Sequence, residues 1–215
     1  MNDIMEIEQG ILKILIVEGK EDEIMFSALL SSLQITDIKI KPIGGKQNIG
    51  KNLLDFVKAR NFHSIRSLGI IRDADDNPSG AFASVCSALK NAGLPVPNAP
   101  LIIAGDDLRR VGVMILPGEN RCGALEDTCL ESVQKDMAIP CVDGYFQCLS
   151  EREIHLPTPA ISKARVHAFL ASKKEPDKRL GEAARAGYWN FESHAFESVK
   201  QFLQAMYIQE GDEHK

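Results

Sequence analysis

The five cysteines, Cys86, Cys122, Cys129, Cys141 and Cys148, are odd in number and form no Cys-x-x-Cys pair. Neither a disulfide framework nor a structural zinc site is indicated. Long apolar runs are missing too. None approaches the roughly 20 residues that a membrane-spanning helix needs. The first residues, Met-Asn-Asp-Ile-Met-Glu, carry acid where a signal peptide would carry base. A cytoplasmic protein without membrane contact is the expectation. Positive charge is also short, with a net charge of −5. No global basic field advertises nucleic acid, so any polyanion site has to be local or bridged by a cation. No repeat or low-complexity tract appears. What remains is 44% hydrophobic and 26% charged, the balance of a globular protein with a real core. Its 215 residues leave room for one domain with an addition, or for two small ones.

The chain is organised around residues 11–22, Ile-Leu-Lys-Ile-Leu-Ile-Val-Glu-Gly-Lys-Glu-Asp. A β-branched apolar run here meets Glu18-Gly19 and then an amphipathic segment with Ile24, Met25, Ala28, Leu29 and Leu33 at helical spacing. A buried strand feeding a helix opens a parallel α/β sheet. Ligands collect at the carboxyl ends of such strands, where Glu18 sits; its plain alternative is a solvated turn acid. Ile38 to Ile43 alternates apolar and basic residues and reads as a strand near an edge. Gly44, Gly45 and Lys46 then lead into a helix. They are either a tight turn or a set of backbone N–H groups and a point charge for a phosphate. The run Ser67 to Ile71 ends in Arg72-Asp73-Ala74-Asp75-Asp76-Asn77-Pro78, with Asn77 as N-cap and Pro78 at the first helical position. Asp73 and Asp75 are two apart, so in extended backbone both carboxylates face one side. Strands about 4.8 Å apart would let them converge with Glu18 on one or two cations. All-oxygen ligands point to Mg2+ or Mn2+. Asp76 is either a further ligand or an acid that favours the helix N-terminus.

The segments Ile-Val-Glu-Gly-Lys-Glu-Asp and Ile-Ile-Arg-Asp-Ala-Asp-Asp, with a glycine pair between them, resemble the motifs of the Toprim family over about residues 10–120. That family includes the Toprim domains of topoisomerases, bacterial primases and overcoming-lysogenization-defect nucleases. The resemblance implies a Rossmann-like, mostly parallel sheet flanked by helices. It places Glu18 at the family's glutamate, an acid/base or metal ligand, and Asp73 and Asp75 at its Asp-x-Asp metal pair.

Beyond a proline-rich connector at 95–100, Leu101 to Ile103 and Val111 to Leu116 flank Ala-Gly-Asp-Asp and read as an antiparallel hairpin completing the sheet. A loop then feeds a helix through Val133. Glu126 and Asp127 in its first turn are either dipole-stabilising acids or further metal or water-orienting residues. From about Ser150 the pattern turns helical, which suggests an α/β domain over 1–150 and a small helical extension over 151–215. Residues 163–185 hold seven Lys/Arg against three acids. Lys173, Lys174, Lys178 and Arg179 are the candidates to track phosphates, against the alternative of a solvated helix face. Tyr188, Trp189 and Phe191 read as docking residues for these helices.

The reading is an Mg2+- or Mn2+-dependent, nuclease-like protein acting on DNA or RNA, with a partner protein possible. The alternative is a non-catalytic module that binds metal, nucleotide or a partner through its acidic pocket. One fold hosts many functions, so only the site can decide between them.

Overall fold

Three apolar runs form the middle of a five-stranded sheet, because a strand covered on both faces has little use for alternation. These are β1 (Lys13–Val17), β3 (Ser67–Asp73) and β5 (Arg110–Leu116), all nearly continuously buried. With β2 (Ile38–Pro42) and β4 (Ile103–Gly105) the order is β2-β1-β3-β5-β4. All neighbours are parallel except β4 and β5, which form the antiparallel pair the sequence suggests. The alternating β2 lies at an edge, as its pattern implies. The computed structural model describes residues 7–208, apart from the side chains of Lys46, Thr158 and Pro159.

Period-two alternation in the strands supplies two cores. Ile14, Ile16, Leu68, Ile70, Val111 and Val113 pack with α2 (Ile49–Phe56) and α3 (Pro78–Asn91). Leu15, Val17, Ile71, Met114 and Leu116 face the opposite side, covered by α1 (Lys20–Ser32), α4 (Leu125–Ser132) and the helices that follow. Those are α5 (Ile139–Ser150), α6 (Thr158–Leu170), α7 (Leu180–Arg185) and α8 (Glu197–Tyr207). Val166, Phe169, Ala183, Trp189 and Phe202 thus share one core with the sheet. Trp189 stacks on Phe169 and donates its indole N–H to the Leu180 carbonyl at 3.0 Å, the docking role expected of it.

Close approach of α8 requires glycine on the sheet. Gly69 and Gly112 are register partners in β3 and β5. A Cβ on Gly69 would lie 2.4 Å from the Tyr207 hydroxyl, and one on Gly112 would lie 2.5 Å from Met206 Sδ. The fully buried Tyr207 hydroxyl donates to the Ile14 carbonyl at 2.7 Å and accepts from the Gly69 N–H at 3.2 Å. At the end of α8, Lys13 donates to the Tyr207 carbonyl and Arg110 to that of Ala205. Cations suit these helix-end carbonyls.

Candidate functional site

Both β1 and β3 run out at the same end of the sheet, and each delivers an acid there. Glu18 follows Val17, and Asp73 is the last residue of β3. One Glu18 carboxylate oxygen accepts from the Asp73 N–H at 3.3 Å and lies 3.7 Å from Arg72 Nε. Asp73 Oδ1 in turn accepts from the Leu125 N–H at 3.0 Å, at the start of α4. Two more acids act on this pair from helix starts: Asp22 in the first turn of α1 and Glu126 in the first turn of α4. Burial, then the charges of Glu18, Asp22 and Glu126, push the Asp73 carboxyl well above its usual range. Asp22 is raised to about 6 by burial and by Glu18 and Glu126, although the Gly19 N–H it accepts pulls the other way. Beneath them the buried Cys129 thiol is also pushed up, by burial and by the same acids.

Besides Arg72 on β3, a second cation reaches this cluster from outside the strands. Lys163 on α6 places its Nζ 3.8 Å from Glu126 and lowers the Asp22 carboxyl, against the larger influences that raise it. Two residues therefore belong to the site without having been singled out for it in the sequence. Asp22 stands four residues after Glu18 in the same motif. Lys163 opens the basic run of residues 163–185, where the sequence gives it no separate role.

The Asp-x-Asp segment behaves differently from expectation. Extended backbone ends at Asp73, and Asp75 has φ +52°, in the left-handed region that Asp and Asn tolerate best among residues with a Cβ. The premise that Asp73 and Asp75 share one side of an extended strand does not hold. Asp75 instead exchanges two backbone hydrogen bonds with Gly123, at 2.8 and 2.7 Å. Asp76 is exposed, and Asn77 caps α3 by accepting from the Gly80 N–H at 2.8 Å. The neighbours Glu126 and Asp127 divide their work. Glu126 acts on the acid cluster, whereas Asp127 accepts from the Ala124 N–H at 2.8 Å and from the Ser162 hydroxyl at 2.6 Å.

Gly44 and Gly45 adopt positive φ after β2, and the Gly45 N–H donates to the Glu18 carbonyl at 2.9 Å. That donor is therefore committed to the strand end and not to an anion. The side chain of Lys46 lies outside the described part of the structure. In the basic run, Lys173 pairs with Asp136 at 2.5 Å and sits over the Phe169 ring, and Lys178 pairs with Glu175 at 3.0 Å. Arg179 uses its backbone N–H on Glu182 at the start of α7, while Lys174 is exposed. Acids from outside the run, Asp136 and Asp143 on Arg165, thus offset part of its excess. An apolar cleft of about 740 Å3 between α5 and α6 is lined by none of the clustered acids.

The donor set suits a hard cation by its chemistry, since carboxylates crowded in a partly buried pocket repel one another and favour a positive charge among them. Among the described residues, however, no three His, Cys, Asp or Glu side chains stand in a ligating arrangement. Glu18, Asp22 and Asp73 each turn one oxygen onto a backbone N–H.

The chain belongs to the family described as Protein of unknown function (DUF3226), which matches residues 12–208. Its fold is shared with the hypothetical protein PH0156 from Pyrococcus horikoshii OT3, with a TM-score of 0.60 at 17% identity over 91% of this chain and 95% of that one. A looser likeness, TM-score 0.46 at 13% identity over 90% and 94% of the two chains, is to the C-terminal region of the Xanthomonas campestris pv. campestris OLD protein. Curated proteins give no match. No helix among the described residues is long and apolar enough to cross a membrane.

Proposed function

We infer that this protein is a Toprim-like, divalent-cation-dependent enzyme acting on phosphodiesters of nucleic acid. The observation that carries the reading is the crowding of Glu18, Asp22, Asp73 and Glu126 at the carboxyl ends of β1 and β3. Ligands of α/β sheets collect there, and like charges held together away from water disfavour the metal-free protein unless a cation balances them. The Toprim-like motifs around Glu18 and Asp73 support the same conclusion.

In this reading Glu18 and Asp73 would hold the cation, and the charges of Asp22 and Glu126 would favour it there. Mg2+ or Mn2+ would supply stabilisation of the charge that builds on a phosphoryl group during transfer. The residues of the chain do the rest. The Asp73 N–H and the Arg72 guanidinium orient Glu18, which is thereby placed as a ligand or as the acid/base. The Leu125 N–H fixes the Asp73 carboxylate. Lys163 stands where a phosphate oxygen would meet a positive charge beside the acids.

The deciding experiment is cleavage of single- and double-stranded DNA and RNA with Mg2+ or Mn2+. Asp73→Asn and Glu18→Gln are expected to abolish cleavage while leaving the circular dichroism spectrum intact. Retained metal affinity in Glu18→Gln would assign it to proton transfer. Absence of cleavage by the parent protein under every metal, with weaker ligand binding in Asp73→Asn, makes this a binding module. Full activity in both variants refutes the site.

A further inference from the structure

The strip Gly123-Ala124-Leu125 touches both acids of the Asp-x-Asp segment. Gly123 exchanges backbone hydrogen bonds with Asp75, and the Leu125 N–H holds Asp73 Oδ1. Between them, the Ala124 N–H is tied to Asp127 Oδ2 at 2.8 Å. The other Asp127 oxygen, Oδ1, accepts from the Ser162 hydroxyl at 2.6 Å. Ser162 lies on α6, 35 residues further along the chain and in the helical region after residue 150. It touches no acid of the cluster in any hydrogen bond of its own among those described. Its side-chain partner among the described residues is the one that pins the middle of the strip.

We propose that Ser162 is a positioning residue for the acid site: by holding Asp127 it fixes the start of α4, and through the Leu125 N–H it sets the Asp73 carboxylate. The proposal rests on the reading of the acid cluster as a cation site, and extends it to a helix that supplies none of the carboxylates. The physical basis is that an outer hydrogen-bond partner restricts the orientation of the group it holds, which a ligand site needs more than the fold does. Without the hydroxyl, Asp127 keeps its bond to Ala124 but loses the tether that fixes its own rotamer. The first turn of α4 then loosens while the buried face of the helix, Leu125, Cys129 and Leu130, stays packed.

The test compares Ser162→Thr with Ser162→Val in the full chain, since the two side chains have the same bulk and only one keeps the hydroxyl. Amide hydrogen exchange at Ala124 and Leu125 is measured in chelator, and Mn2+ affinity is measured separately by calorimetry. Ser162→Thr is expected to behave as the parent. Ser162→Val is expected to exchange faster at these two amides and to bind Mn2+ severalfold more weakly, less than the about tenfold that losing a direct partner of a ligand costs. Equal exchange in the two variants overturns the proposal whatever the metal does. Faster exchange with unchanged Mn2+ affinity overturns the positioning role and leaves only a helix-capping contact. If the parent binds no Mn2+, the cation reading fails, and with it the role assigned to Ser162, while the exchange result still reports whether the tether exists. Should Ser162→Thr prove too bulky to fold, Ser162→Ala and Asp127→Asn replace the pair, both expected to show the faster exchange.

Discussion

The two ends of β3 do opposite things with burial. Near its start, Gly69 meets Tyr207 in a seam where the buried hydroxyl both donates and accepts. At its last residue, Asp73 sits among Glu18, Asp22 and Glu126, and its proton is held far more tightly than in water. The seam is satisfied, and the mouth is frustrated. Four acids crowded at the mouth work against stability, because like charges held together away from water repel one another. The same five strands therefore separate the work: one region holds the sheet covered, and the other stores unfavourable charge.

The comparison can be sharpened by substitutions of opposite expected sign. The largest effect belongs to Gly69→Ala, whose new methyl would lie 2.4 Å from the Tyr207 hydroxyl. A loss at the upper end of about 1–3 kcal/mol is expected for such overpacking, read from the urea midpoint. Next comes Tyr207→Phe, which strips both hydrogen bonds of the hydroxyl and should cost about 1–2 kcal/mol. In that background Gly69→Ala should cost less than it does alone, a coupling that a double-mutant cycle reads directly. Additive losses would mean the seam is not one contact.

At the mouth the sign reverses. Asp73→Asn keeps the acceptor for the Leu125 N–H and removes the cost of either charging or protonating this buried acid. In chelator this variant should be more stable than the parent by about 1 kcal/mol, the scale of a typical single substitution. A loss as large as that of Gly69→Ala would show the mouth to be as structural as the seam. The last effect is a pH slope. The folded protein raises the Asp22 carboxyl from its ordinary 3.8 to about 6, so it binds this proton more tightly than the unfolded chain. The resulting contribution is complete below the unfolded value and is lost as pH rises through about 6. In chelator, the parent should lose stability relative to Asp22→Asn as pH rises from 3.8 through about 6. A flat difference across that window would remove Asp22 from the cluster.

Much of this frame was legible from strand and helix patterning. Residues 11–22 and 67–78 carry strand, acid and helix start in an order that local chemistry dictates, and both acids arrive at the same sheet end. The hairpin before β5 announces itself through Gly105 and Asp106, whose side chain accepts from the Leu108 and Arg109 N–H groups. The helix α5 escaped notice because few of its apolar positions are buried. Ile139 and Val142 are, but Tyr145 is 54% exposed and Gly144 interrupts the pattern. Asp75 could not be placed because its backbone is set by Gly123, 48 residues away in sequence. Lys163 and Ser162 reach the site only after α6 has packed, so no local spacing encodes them. Asp22 did have a signal: it lies four residues beyond Glu18, in the first turn of a helix that directly follows the strand end.

The seam also constrains the order in which the protein can be completed on the ribosome. The sheet has all its strands once Leu116 has been made, yet Gly69 and Gly112 wait for Phe202, Met206 and Tyr207 to cover them. At about 5–20 residues per second, the roughly 90 residues in between take on the order of 5–18 s to synthesise. Throughout that interval one face of the nascent sheet presents apolar strands to the surroundings. Newly made chains, rather than finished ones, are then the species that a chaperone would hold, and a ribosome stalled shortly before Phe202 should display the face.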